Sequence, residues 1–195
     1  NLIADGREYT VTGTLMDKDT GEKLLDAQGN EITSSVTFVP EKATGTVDVT
    51  FTFDGSHLAA DGAQVVVFEH VQYKGREVAV HADINDQAQT VLFPAIHTSA
   101  VIGDTGEKEI EASDVVTVVD TVSYCNLAPG ETYTLVGCLM NKTTGNVVPD
   151  TEGSCCISKV EFVPTEANGS VQVSFQFDTA QFGGQDVVVF ETLYR

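Results

Sequence analysis

The stretch YTVTGTLMDKDTGE from Tyr9 returns as YTLVGCLMNKTTGN from Tyr133, an offset of 124 positions. The correspondence continues. VTFVPEKATGTVDVTFTFD, ending at Asp54, pairs with VEFVPTEANGSVQVSFQFD, ending at Asp178, and VVVFE occurs at 65–69 and again at 187–191. Self-similarity of this extent at nearly constant spacing marks tandem copies of a single folding unit. The 195 residues allow one large or two ordinary domains, each able to bury a core, and the repeat favours two.

Within each copy the hydrophobic period is two. Val47, Val49, Phe51 and Phe53 alternate with Thr46, Asp48, Thr50 and Thr52, and Val171, Val173, Phe175 and Phe177 repeat the pattern. Such alternation predicts strands with one face in a core and the other in water. DTGE, KATG, NLAPG and FGGQ supply turn chemistry between them, and no window of about a dozen residues has helical periodicity. The expectation is an all-β chain whose unit is a two-sheet antiparallel sandwich.

The copies differ in extent. Residues 93–125, FPAIHTSAVIGDTGEKEIEASDVVTVVDTVSYC, have no counterpart before Asn1, while YKGREVAVHADINDQAQTVLF follows only the first VVVFE. The expected domains are therefore 1–92, lacking its opening strands, and 93–195, lacking its closing strands. A window cut from a longer array, or a chain divided for assembly with other chains, would both read this way.

A formal charge of −19 and a pI near 4.2 set the chain against phosphate backbones and anionic membrane surfaces, so nucleic acid is not an expected partner. No apolar run approaches a membrane span, and NLIADGREYT has neither the basic start nor the apolar core of a signal peptide. All four cysteines, Cys125, Cys138, Cys155 and Cys156, lie in the second half without C-x-x-C spacing, which argues against zinc. A disulfide from Cys138 to Cys155 or Cys156 is compatible with an oxidising compartment. His81, Asp83 and Asp86 offer metal-ligating atoms in no recognised ligand spacing, and DKDTGE at 17–22 lacks the bidentate glutamate of a calcium loop. Neither metal nor cofactor is expected.

Three ionisable residues fall where the alternation calls for apolar ones. In VVTVVDTVSY, Asp120 shares a face with Val116, Val118, Val122 and Tyr124; in VVVFE, Glu69 shares one with Val65 and Val67, and Glu191 is its twin. VVVFE is apolar on both faces and reads as a central strand. His81 follows the strand-like REVAV. Inward acids and an imidazole suggest a buried polar constellation of the kind acyl chemistry uses. The plainer alternative is an Asp that caps backbone N–H groups and a Glu that ends its strand in solvent.

These motifs together resemble the VaFE repeats of Gram-positive surface adhesins and pilus-like stalks, immunoglobulin-like domains that form an internal Thr–Gln ester. PAIHTSA from Pro94 looks like the family's opening strand, DTVSYCNLAPGETYTLVGCLM like its second strand and turn, VVVFE like its naming motif, and HADINDQAQT from His81 like its closing strand. The resemblance implies that Thr98 is the nucleophile of the second unit and Gln89 the acyl partner of the first. It implies that His81 is the base, and that Asp86, Asp120, Glu69 and Glu191 are the assisting acids. Ser99 stands where many relatives have a second threonine, which favours Thr98. Each unit holds only part of this set.

The chemistry so implied is acyl transfer used once: an imidazole takes the threonine proton, the alkoxide adds to the carboxamide, and buried acids assist the oxyanion or the departing ammonia. Joining the first strand of a complete domain to its last closes a loop of about 100 residues, removing on the order of 4.7 kcal/mol of unfolded-state entropy. The expected function is a structural stalk repeat on the bacterial cell surface, not an enzyme with turnover. Its expected partners are adjacent copies of the same repeat, with host-surface ligands bound through other domains. The competing readings are a ligand-binding adhesin module, with a loop such as DGSHLAADGAQ at 54–64 as its binding element, and a Ser/Thr–His–Asp hydrolase.

Overall fold

A computed structural model describes residues 2–56, 58, 62–103, 105–112 and 114–195. The chain divides into two compact units, 1–93 and 94–195, and each is all-β with antiparallel ladders. Unit 1 has β1 (Tyr9–Asp17), β2 (Thr33–Phe38), β3 (Gln64–Tyr73), β4 (Arg76–His81) and β5 (Thr90–Leu92). They form one sheet in the order β2-β1-β3-β4, with β5 also on β3. Unit 2 has β6 (Ala95–Ile102), β7 (Val115–Cys125), β8 (Tyr133–Asn141), β9 (Ile157–Phe162), β10 (Gly169–Asp178) and β11 (Val187–Tyr194). These form two sheets, β10-β7-β6 and β11-β8-β9. Among the described residues no helix is long and apolar enough to cross a membrane.

Unit 2 is the sandwich that the alternation predicts. Val116, Val118 and Val122 from β7 and Val173, Phe175 and Phe177 from β10 form one apolar face, and Leu135 and Leu139 from β8 supply the other. Every second residue of β8, from Tyr133 to Asn141, is buried while those between are half-exposed, as a pleated strand with one face on a core requires. Turn chemistry repeats as closely as the strands do. Asp17 Oδ1 accepts the N–H groups of Asp19 and Thr20 at 2.9 and 2.8 Å, and Asn141 Oδ1 accepts those of Thr143 and Thr144 at 3.0 Å each. DKDTGE is thus a side-chain-capped hairpin turn, its carboxylate already engaged by backbone.

One expected strand does not form. Residues 46–53 carry the same alternation as β10, and Val49, Phe51 and Phe53 are half-buried while Thr50 and Thr52 are exposed, yet the segment joins no ladder. In unit 2 the equivalent strand β10 pairs with β7 from Gly169↔Tyr124 to Asp178↔Val115, and among the described residues unit 1 has no strand in the place of β7. Side-chain alternation places Phe51 and Phe53 against the core of Leu15, Leu24, Ile32, Leu58 and Val65, but a ladder needs a partner backbone. Unit 1 is accordingly one sheet with an unpaired apolar segment. The same difference alters β11: β3 is central between β1 and β4, whereas its twin β11 pairs with β8 alone and is an edge strand. In the loop 54–64, residues 57 and 59–61 lie outside the described residues, and Leu58 is a core side chain. All four cysteines are free thiols.

Both copies keep a glycine in mid-strand, where it weakens the strand unless something must come close. A Cβ at Gly13 would lie 2.6 Å from Phe51 Cζ, and one at Gly137 would lie 2.6 Å from Phe175 Cζ. The phenylalanine ring of one layer therefore rests on the bare backbone of the other. Gly137→Ala should lower stability by about 1–3 kcal/mol through overpacking, read as a fall in the urea midpoint, and Phe175→Leu should recover part of that loss in the double variant. An unmoved midpoint would refute the contact.

Candidate functional site

In unit 2 the β6–β7 ladder opposes Thr98 to Val122, Ala100 to Asp120 and Ile102 to Val118. Opposed residues share a face, and Val118, Asp120 and Val122 are all on the buried side of β7. Thr98 therefore belongs to the core-facing side of β6, with Ile96, Ala100 and Ile102 packed on the core around it. Its side chain is nevertheless exposed. Ser99 and His97 fall on the other face by the same alternation. Thr98 opens into a cleft of about 320 Å³ lined also by Ala100, Ile102, Asp120, Leu139 and Val189.

Two carboxyls sit at the bottom of this arrangement. Asp120 is 0% exposed, and the carboxyl oxygens of Glu191 are buried as well. Asp120 comes from β7 and Glu191 from β11, so they reach each other from the two sheets of the sandwich. Among the described residues no protein donor bonds any of their four oxygens; what each carboxyl has within reach is the other. Buried carboxylates without donors are costly, and two of them cannot both ionise. Burial first, and the Asp120 charge second, pushes the Glu191 carboxyl up to about 8, so it keeps its proton at neutral pH. That proton can join the pair.

Unit 1 assembles a different part of the set. β3 and β4 are joined by a two-residue turn, Lys74 and Gly75, both at positive φ (51° and 73°), the geometry that suits a tight hairpin. The ladder runs Tyr73↔Arg76 and Gln72↔Glu77, then skips Val78 and resumes at Val71↔Ala79, which brings Glu69 opposite His81. A one-residue bulge exchanges the faces of a strand, so Val78 is what places His81 on the side of Glu69. His81 Nε2 lies 2.6 Å from Asp86 Oδ2, while Asp86 Oδ1 accepts the N–H of Ala88 at 2.8 Å. The Ala88 N–H first, and His81 second, hold the Asp86 carboxyl below its ordinary value. Asp86 thereby caps the one-turn 3₁₀ helix Gln87–Gln89, and the Thr90 hydroxyl donates to Asp86 O at 2.7 Å. Thr90 opposes Val66 and starts β5, so Gln89 is delivered one residue ahead of an anchored strand.

Thr98 and Gln89 thus belong to different units, each with its own partners. Comparison with known families gives the family to which both units belong. The family described as the T-Q ester bond containing domain matches residues 1–93 and again 94–194. The chain belongs to that family. Comparison with curated proteins gives no match. In this T-Q ester bond domain chain the threonine, both halves of an acid pair and the open cleft lie in unit 2, and the imidazole, its bonded acid and the glutamine lie in unit 1. Among the described residues no cluster of three ligating side chains is placed to hold a metal ion; in particular His81 and Asp86 bond each other.

Two positions that shape the surroundings of these side chains are not apparent as such in the sequence pattern. Gly137 faces Glu191 across the β8–β11 ladder, and a Cβ there would lie 2.6 Å from Phe175 Cζ, so the glycine makes room for the ring beside the acid. Its signal is the glycine shared by YTVTGTLM and YTLVGCLM. Val78 breaks a register that REVAV alone would continue, and no residue type announces it.

The raised Glu191 carboxyl has a consequence for stability. The folded state holds the proton to a higher pH than the unfolded chain, whose carboxyl titrates near 4.5. Between that value and about 8 the native state binds more protons, so its stability is fully present below the lower value and is lost as pH rises toward the upper one. Glu191→Gln, neutral at every pH, should flatten this part of the profile. Urea midpoints of both proteins at pH about 5 and about 8 check it, and equal slopes would rule the shared proton out.

Proposed function

We propose that the chain is a load-bearing segment of an extracellular stalk on a Gram-positive bacterial surface, built of repeats that each close one Thr–Gln ester. The observation that carries this reading is the buried, donor-less pair Asp120–Glu191 beside a core-facing threonine hydroxyl. Glu69 and Glu191 occupy the same place in the repeat, which links the two partial sets. A strand placed beside β11 as β4 lies beside β3 would set an imidazole opposite Glu191. The 3₁₀ turn that follows would carry a glutamine back to the same strand, on the edge of the cleft that holds Thr98.

In such a completed unit the imidazole accepts the Thr98 proton, and Thr98 Oγ1 forms a bond to the carboxamide carbon of the glutamine. Glu191, protonated at neutral pH, donates to the departing nitrogen; the C–N bond breaks, ammonia leaves, and the imidazolium returns its proton to the acid pair. Asp120 keeps that proton within the site. Strand pairing supplies the proximity, and a covered cleft protects the ester from water. The reaction runs once per domain and needs no cofactor, so the protein is a substrate of its own fold rather than a catalyst. Adjacent repeats are its partners, and tension along the array passes through the ester instead of through edge-strand hydrogen bonds.

A synthetic peptide with the sequence of residues 76–93, added to the chain, tests the chemistry. Intact mass spectrometry should show an adduct lighter than the sum of its parts by one ammonia. The adduct should be absent with Thr98→Val or with alanine at the peptide position of Gln89, and hydroxylamine should cleave it. Peptide that binds without loss of ammonia would defeat the ester reading.

A further inference from the structure

Cys155 and Cys156 are neighbours in sequence but differ in burial, Cys155 being exposed and Cys156 buried. Leu139 donates its N–H to Cys156 O at 3.0 Å, Cys156 donates to Val148 O at 2.9 Å, and Val148 donates to Leu139 O at 2.8 Å. Leu139, Val148 and Cys156 are all buried, and the Cys156 thiol is 3.5 Å from Gln176 O on the inner side. Its counterpart in unit 1 is Ile32, also a core residue. Cys156 is therefore a small core side chain that happens to be sulfur.

Cys138 belongs to the other face. It lies between Gly137 and Leu139, which face the core, and its cross-strand partners are Ile157 and Phe190, 56% and 61% exposed. Cys155 is exposed and stands two residues before Ile157, just ahead of β9. The N–H of Ile157 bonds Cys155 O at 2.8 Å, closing a tight turn at the start of β9. The Cys138 thiol leans along its strand toward Met140, Sγ to Sδ 3.5 Å, and so toward the end of β8 that Cys155 adjoins. Burial, then the neighbouring Cys155, pushes the Cys138 thiol above its ordinary value.

The repeat supplies an independent argument. The unit 1 counterparts of Cys138 and Cys155 are Thr14 and Glu31, and Glu31 ties its loop through Lys23 Nζ at 2.8 Å. The counterpart of Lys23 is Val147, which offers no charge. Unit 2 therefore lacks this ion pair and carries in the same hairpin a half-buried cysteine on β8 and an exposed one just before β9.

We propose that Cys138 and Cys155 are a disulfide site that ties the excursion 142–154 back to β8, and that Cys156 remains a thiol. The exposed Cys155, as thiolate, attacks an acceptor disulfide such as oxidised glutathione and releases one reduced thiol. Cys138 then displaces the second, so that two protons and two electrons leave the protein and the acceptor is reduced to two thiols. This device is separate from the ester chemistry and stands or falls without it.

The full chain, incubated with oxidised glutathione, alkylated under denaturing conditions and digested, should yield one linked pair, Cys138 to Cys155, with Cys125 and Cys156 alkylated. Cys156→Ile, which installs the residue unit 1 uses, should retain the link and makes its assignment unambiguous. Cys155→Ser should abolish it. The oxidised protein should melt several degrees above the reduced one, a difference absent in Cys155→Ser. Four alkylated thiols, a glutathione adduct left on Cys155 with Cys138 free, or a link through Cys156 would each overturn the proposal.

Discussion

Two carboxyls that reach each other across the interior of a sandwich, with no protein donor for either, constrain everything around them. Asp120 sits in a row of valines and Glu191 in a strand of valine and phenylalanine, so burial and the neighbouring Asp120 charge both disfavour the ionised form of Glu191. One proton between them is the cheapest state, and Glu191, pushed up to about 8, is where it rests. Gly137 stands opposite Glu191 on β8, where a side chain would collide with the Phe175 ring. A fold maximising stability alone would put a valine at Asp120. Its retention at a cleft with a threonine hydroxyl ties the structure to chemistry.

The two units also separate what side-chain pattern determines from what backbone pairing determines. Residues 46–53 and β10 have the same alternation, and in both the phenylalanines turn inward. Only β10 forms a strand, because only it has β7 beside it. The reverse holds for the acids: Glu69 has His81 opposite it on β4, while Glu191 on β11 has an open edge. An open edge next to an exposed, core-facing Thr98 is a place where an added strand gains both hydrogen bonds and apolar cover.

Much of this was legible in the residues. The 124-residue offset, the period-two alternation and the inward reading of Asp120 and Glu191 follow from local pattern, which reports faces faithfully. The grouping of His81, Asp86 and Gln89 came from the family resemblance, and in the structure a turn cap and a short 3₁₀ helix connect the three. Three things were not legible. The absent ladder at 46–53 depends on a partner that lies elsewhere in the repeat. The bulge at Val78 arises from ladder geometry that composition does not encode. The close contacts at Gly13 and Gly137 exist only once two layers are packed.

A tandem repeat offers a comparison within one molecule, and it shows which features belong to the fold and which to one copy. The glycine under the phenylalanine, the capped turn after β1 and β8, and the glutamate of VVVFE are present twice. Features present twice belong to the fold. Cys156 stands in for Ile32 in the core and changes nothing about it, whereas the Lys23–Glu31 pair and the Cys138 and Cys155 positions mark one hairpin handled in two ways. The glutamate has the further distinction that it reaches Asp120 in one copy and stands opposite His81 in the other. Glu191 has buried, unbonded carboxyl oxygens beside Asp120, while half-buried Glu69 stands opposite an exposed His81, so the position that the two glutamates share is where acid and imidazole would meet in one repeat.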